Sequence, residues 1–188
     1  MLEKPSNLLY SDRNSFGIDV GHSSIKIMQL EKSQSGHRLI AYGSTEFDQC
    51  AIDKGVVIDP KVITKKIYDL ISTSIKGKIS LDRVSFSIPN EYSFSRIMTV
   101  PEMSRKDLES AIGNELQQSM PLPVDDIYYD YDTVKLGEQL EIQLVATPKK
   151  IVDSYLEVGS LLGLETAYIE TNIGAVTRAV RNSEITND

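Results

Sequence analysis

The sequence predicts a mixed α/β fold in which an N-terminal run of three strands, a capped amphipathic helix and a buried strand are followed by a second, smaller set of elements. Three observations carry this. Residues 16–47 hold three apolar, strand-like runs separated by turns containing Gly and Ser. Residues 60–75 repeat apolar side chains at helical spacing behind an Asp–Pro start. Beyond them, Pro89, Pro101, Pro121, Pro123 and Pro148 cut the chain into short elements.

The first strand starts at Phe16 and leads into the loop from Asp19 to Ser23. A second covers 24–31, the stretch Ser33-Gln34-Ser35-Gly36 has turn chemistry, and 38–47 completes an antiparallel meander. Asp59 is placed to cap a helix with Pro60 at its first position, where the missing N–H costs nothing. Val62, Ile63, Ile67, Leu70, Ile71 and Ile75 then recur on one face. Residues 84–88 alternate and stop at Pro89, a strand with one buried face.

After Pro89 the pattern restarts as an insertion. Its first strand is 93–100, ended by Pro101. Ser104, with Asp107 three residues on, approximates a capping box, and Leu108, Ala111, Ile112, Glu115 and Leu116 follow at helical spacing. Strands at 127–134 and 141–146 are joined by a turn at Leu136-Gly137-Glu138. Thr147-Pro148 opens a helix whose buried side carries Ile151, Val152, Tyr155, Leu156 and Leu162 and whose stop is Gly163. A strand at 164–170 returns to the first unit, and a helix at 172–181 follows. The chain thus divides into a disordered leader at 1–14, a first unit of 15–89 plus 164–182, an insertion at 90–163 and a tail at 183–188.

The 188 residues can bury a real core, and 40% hydrophobic with 25% charged residues is ordinary globular composition. A net charge of −7, with the basic pairs Lys65-Lys66 and Lys149-Lys150 standing alone, argues against a nucleic-acid binder. Cys50 is the only cysteine, so neither an internal disulfide nor a zinc cluster can form. No apolar run is long enough to span a bilayer and the first fifteen residues are polar, so the expectation is a cytoplasmic chain that meets a membrane only through partners.

The most informative segment is Phe16-Gly17-Ile18-Asp19-Val20-Gly21-His22-Ser23-Ser24-Ile25-Lys26-Ile27, two strands around a loop rich in acid, glycine and hydroxyl groups. Gly21 can adopt positive φ and let backbone N–H groups approach a phosphate, while the Ser23 and Ser24 hydroxyls can donate to its oxygens. Asp19 would hold Mg²⁺ through water. The same Asp-x-Gly pattern also serves plain hairpin turns, so the residues alone leave both readings open. Lys26 reads as a phosphate ligand or as an outward strand residue, and Glu170 as a group on the nucleotide side or a solvated cap. His22 beside the loop and His37 in a turn have no acid or nucleophile partner in the sequence and read as surface histidines.

An ordered set of segments adds a family resemblance: 17–26; Asp53-Lys54-Gly55-Val56-Val57-Ile58-Asp59; Ser87-Ile88-Pro89; 96–104; Glu115-Leu116-Gln117-Gln118-Ser119-Met120-Pro121-Leu122-Pro123; 144–150; and Leu162-Gly163-Leu164-Glu165. Over about 16–180 the chain resembles the actin-like ATPase family and, within it, the PilM family of type IV pilus assembly proteins, related to the cell-division protein FtsA. The resemblance implies an RNase-H-like subdomain with a small α+β subdomain inserted after Pro89. It also implies an ATP and Mg²⁺ site at Asp19, Gly21, His22, Ser23, Ser24 and Lys26. The second RNase-H-like half, with a second phosphate loop and the adenine pocket, is expected to lie outside this chain. With one wall of the clamp missing, nucleotide affinity would be millimolar at best, about 4 kcal/mol, and no catalytic residue is assigned. Thr171-Asn172-Ile173-Gly174 looks superficially like a second phosphate loop, but its position suits a helix cap.

The function implied is docking of the cytoplasmic tail of a PilN-type inner-membrane protein near the insertion, by strand addition or by apolar anchors; self-association stays open. The alternatives are one half of an ATPase or nucleotide switch completed by a second chain, a sugar or acid kinase fragment, for which no substrate signature is present, and a fragment without an independent role. An exposed apolar face at Ile173, Val176, Ala179 and Val180 would favour the last.

Overall fold

The structure, a computed structural model, describes residues 14–33 and 36–184, with side chains to 180. Most of the expected leader (1–13), the Gln34-Ser35 turn and the tail at 185–188 lie outside the described residues.

Alternation builds the first hairpin. In β1 (Phe16–Val20) and β2 (Ser24–Ser33), Phe16, Ile18, Val20, Ile25 and Ile27 are buried while their neighbours face out, so the two strands pair antiparallel with one face on a core. β3 (Gly36–Glu46) pairs with β2 through a register shift at Gln29/Leu30. β4 (Ile52–Asp53) and β5 (Val56–Val57) form a small hairpin that sequence reading does not find. Its turn residues Lys54 and Gly55 have φ of 47° and 81°, the left-handed pair that a type I′ turn requires. That turn is pressed into the molecule: a β-carbon on Gly55 would lie 2.7 Å from the Tyr92 ring and 3.3 Å from Ile151.

α1 (Pro60–Asp69) starts as expected, the Asp59 carboxylate accepting the N–H groups of Lys61 and Val62 at 3.1 Å each. Its apolar stripe continues through Leu70, but the last turn, Leu70–Ser74, widens into a π-turn before β6 (Lys76–Gly77) pairs with β3. β7 (Arg83–Ile88) then runs parallel to β1. β8 (Phe94–Pro101), α2 (Arg105–Ser119), β9 (Ile127–Leu136) and β10 (Gln139–Pro148) follow; β10 lies between β8 and β9, antiparallel to both. α3 (Lys149–Leu161) leads to β11 (Glu165–Thr171), parallel to β7, and α4 (Asn172–Glu184) follows.

Two sheets result. The larger has the order β11-β7-β1-β2-β3-β6, the smaller β8-β10-β9. α2 covers one face of the small sheet through Leu108, Ile112 and Leu116, which meet Ile142, Leu144 and Ala146. One side of the large sheet packs on α1 and α3 through Ile63, Ile67, Ile151, Tyr155 and Val158.

This placement corrects the expected insertion at 90–163. α3 buries its apolar side in the core of the large sheet, so the unit built on the small sheet spans 94–148. It also corrects the face assigned to α3: Leu156 is 41% exposed, and the buried stripe runs through Ile151, Tyr155 and Val158. The helix ends as expected at Gly163, φ 70°, where Gly163 N–H donates to Ser160 C=O and Leu164 N–H to Gly159 C=O, a Schellman closure. Gly159 is where helix and sheet touch: a β-carbon there would stand 2.4 Å from Thr166 Oγ1.

Candidate functional site

β1, β7 and β11 run parallel, so their C-terminal ends share one edge of the sheet, the place where open α/β sheets present ligand-binding groups. Register places Asp19 opposite Ser87 and Ser87 opposite Glu170. At the usual strand spacing, the Asp19 and Glu170 backbones stand about 10 Å apart. All three residues, with Lys26, border a cavity of about 910 Å³ on the sheet face opposite α1 and α3, whose other end is apolar with Met28, Leu30 and Tyr42. Lys26 Nζ lies 3.3 Å from the Asp19 carboxylate, and with both side chains partly or largely exposed this is a weak surface pair.

The loop between β1 and β2 differs from expectation at Gly21, which does not take positive φ. Its N–H donates to Ser24 C=O at 2.9 Å, and a β-carbon there would lie 3.4 Å from that same oxygen. The Gly21 amide is therefore engaged in closing the hairpin. Ser23 C=O accepts from Phe47 N–H at 3.0 Å, anchoring the loop to the end of β3. His22 is exposed beside the loop, and Ser23 and Ser24 are half-buried. His37 is exposed too, but sits in β3 opposite Lys32, not in a turn.

Glu170 is the acid that sequence reading left undecided. Burial pushes its carboxyl above the usual range while Arg178 of α4, with which it pairs, opposes the shift. Thr171 Oγ1 accepts the Gly174 N–H at 3.2 Å, so the Thr171-Asn172-Ile173-Gly174 segment is a helix cap. Among the described residues no group of three or more His, Cys, Asp or Glu side chains could hold a metal ion by itself. Asp19, Ser87 and Glu170 supply side-chain oxygens at this edge, the donor type that Mg²⁺ takes alongside its own water ligands, and the two carboxylates are paired with Lys26 and Arg178.

A second site lies between the sheets. Cavities of about 570 and 160 Å³ share Asp130 and Val145 of the small sheet with Ile169, Glu170 and Thr171 of β11, forming one continuous groove. Thr177 and Arg178 of α4 flank one end; Tyr128, Thr147 and Val152 flank the other. Tyr128 is fixed there by a hydrogen bond from its hydroxyl to Asp153, 3.2 Å, and by Lys149 5.2 Å above its ring. No residue of this groove besides Glu170 was legible as functional in the sequence, because its walls come from elements about forty residues apart that only the fold brings together.

Residues 17–186 match the family model described as type IV pilus assembly protein PilM. The chain belongs to the PilM family. PilM from a PilM–PilN type IV pilus biogenesis complex superposes with a TM-score of 0.72 at 21% identity, over 85% of this chain and 47% of that one. The cytoplasmic domain of EpsL, an inner-membrane component of the type II secretion system of Vibrio cholerae, superposes with a TM-score of 0.55 at 11% identity, over 83% of this chain and 56% of that one. The chain thus spans about half the length of the PilM structure it matches, and its fold is a partial actin-like fold.

Proposed function

We propose that this PilM-family chain docks the cytoplasmic tail of a PilN-type inner-membrane protein in the groove between the small sheet and β11. The observation that carries this reading is the groove itself. It combines apolar side chains (Val145, Val152, Ile169) for anchoring with acids at Asp130, Asp132 and Glu170 for orientation, a composition that suits a peptide. The fold likeness to PilM in its complex with PilN supports the choice of partner. No helix among the described residues is long and apolar enough to cross a membrane, so in this reading the tail brings the chain to the cytoplasmic side of the inner membrane.

The test is a fluorescence-anisotropy titration of the chain with a labelled synthetic peptide of a PilN-type cytoplasmic tail. Val145→Trp, which fills the groove from the uncovered face of the small sheet, is expected to weaken binding at least 10-fold with the circular dichroism unchanged. Equal binding by the variant would overturn the groove as the docking site.

A second reading, a nucleotide-responsive face, is favoured by the alignment of Asp19, Ser87 and Glu170 at one sheet edge. Asp19 and Glu170 would hold the magnesium of a bound nucleotide, and the metal would supply charge neutralisation of its phosphates. Calorimetric titration with Mg-ATP tests it: heat of binding that disappears in Asp19→Ala supports the reading, and heat that persists in the variant removes Asp19 from it.

A further inference from the structure

Given that docking site, we infer that its occupant is a basic segment of the tail, whose Lys or Arg side chains meet Asp130 and Asp132 on the uncovered face of the small sheet. Register sets out this face. Asp130 lies opposite Val145 and Asp132 opposite Gln143, and all four line the groove. Val145 and Gln143 alternate along β10 with Ile142, Leu144 and Ala146, which meet α2, so the four project from the side that α2 leaves open. Glu141, two residues before Gln143, extends the same face.

The charge here is one-sided. Residues 94–148 hold ten acids against four bases, a net −6 where the whole chain has −7. None of the four bases stands on the uncovered face. Arg96 pairs with Glu115 of α2, Arg105 with Glu109 along α2, and Lys106 is on α2 itself. Lys135 pairs with Glu102 at 2.7 Å from the position opposite Leu140, on the α2 side. Within the groove the other charged side chains are Glu170 and Arg178, which pair with each other. One oxygen of Asp130 accepts the Tyr131 N–H at 2.9 Å; its other oxygen and the Asp132 carboxylate have no partner among the described residues. Two residues apart on one strand, these carboxylates are about 7 Å from each other, and a cation placed between them relieves their repulsion.

The other end of the groove has the opposite character. Ile88 and Val152 supply apolar surface there, and Lys149 already stands 5.2 Å above the Tyr128 ring, which disfavours a further cation. The site therefore has a direction, with an apolar anchor toward α3 and a basic side chain toward Asp132. A segment just cytoplasmic of a membrane span is the kind of chain that carries an excess of Lys and Arg.

The experiment uses the same labelled tail peptide and a copy with every Lys and Arg replaced by Gln. Asp130→Asn combined with Asp132→Asn keeps the shape of both side chains and removes their charge. The pair is expected to weaken the natural peptide about 3- to 10-fold and to leave the neutral copy unaffected. Raising sodium chloride from about 50 to about 500 mM should erase most of that difference. Asp132→Lys should weaken the natural peptide further and bind a copy carrying Glu at those positions better than the wild-type chain does. Equal affinity of the natural peptide for the wild type and the Asn pair, with binding still lost in Val145→Trp, overturns the basic occupant and leaves the docking site standing. A neutral copy that loses as much on the Asn pair as the natural peptide does also overturns it. A natural peptide that binds without regard to Val145→Trp removes the docking site and this inference together.

Discussion

The two sheets solve the same burial problem differently. The small sheet and α2 are continuous in sequence, from 94 to 148: β9 and β10 close over a tight turn, and β8 meets β10 across the α2 connection within the same segment. The large sheet is assembled from 16–88 and 149–184, and its core exists only once β7 has met β1 and β11 has met β7. Local closure makes a unit that can open by itself, whereas long-range closure makes one that must open as a whole. The candidate groove lies where the two kinds of unit meet.

The strongest way to break this contrast is a pair of core truncations. Phe86→Ala removes a ring packed edge-on against Tyr155 at 5.8 Å and is expected to cost about 3–5 kcal/mol and lower the global transition. Ile112→Ala, at about 2–4 kcal/mol, should instead expose amides in β8, β9 and β10 to hydrogen exchange while β1 and β7 stay protected. Loss of protection in both sheets together would mean that the two units are one.

Gly159→Ala tests how closely the long-range core is packed. Alanine normally favours a helix, but here its methyl would meet Thr166 Oγ1 at 2.4 Å and the Phe86 ring at 3.4 Å, so about 1–3 kcal/mol of destabilisation is expected from denaturant unfolding. Adding Thr166→Ala should recover part of it.

Two neighbouring hydroxyls on α3 should respond with opposite signs. Ser154 Oγ accepts the buried Val57 N–H at 3.1 Å and donates to Ile151 C=O at 2.7 Å, tying β5 to the helix. Ser154→Ala orphans that amide, and a loss of about 1–3 kcal/mol is expected. The Tyr155 hydroxyl is buried with no hydrogen-bond partner among the described residues, and burial pushes its pKa well up. Tyr155→Phe should therefore leave stability unchanged or raise it, measured by the same unfolding curves.

The smallest effect belongs to the boundary. Because burial holds the Glu170 carboxyl above its ordinary 4.5, the folded state keeps that proton more tightly than the unfolded chain. The resulting stability is complete below the unfolded value and is lost as pH rises through the folded one. Glu170→Gln should match the wild type in melting temperature at pH 4 and exceed it slightly at pH 7.

Local chemistry was readable in the chain and long-range pairing was not. Asp59-Pro60, Ser104 with Asp107, and Gly163 announce helix ends because a cap needs only neighbours. α3 misled because apolar residues at 151, 152, 155, 156, 158, 161 and 162 make a stripe too wide to fix its phase. Its allegiance to the large sheet follows from where β11 returns, which no local pattern encodes. At the site, Asp19 stood out from its loop, but its alignment with Glu170 depends on the parallel register of three strands far apart in the chain. Gly21 looked like a phosphate-loop glycine, and only the hydrogen bond to Ser24 reveals a hairpin closure. On the last helix Ile173, Val176 and Val180 are all more than half exposed.

The place where the chain leaves the large sheet and returns to it carries a practical consequence. Phe94 and Ala146 are register partners, so their backbones stand about 5 Å apart. The Ser93 and Thr147 hydroxyls bond across the gap at 2.9 Å, and the Gly55 turn is wedged between Tyr92 and Ile151. Entry and exit are therefore stitched together like the two ends of a graft. A short turn joining residues 92 and 149 would span the cut, which makes the small sheet an exchangeable cassette: a different sheet, with a different open face, could be spliced onto the same scaffold to change what it holds.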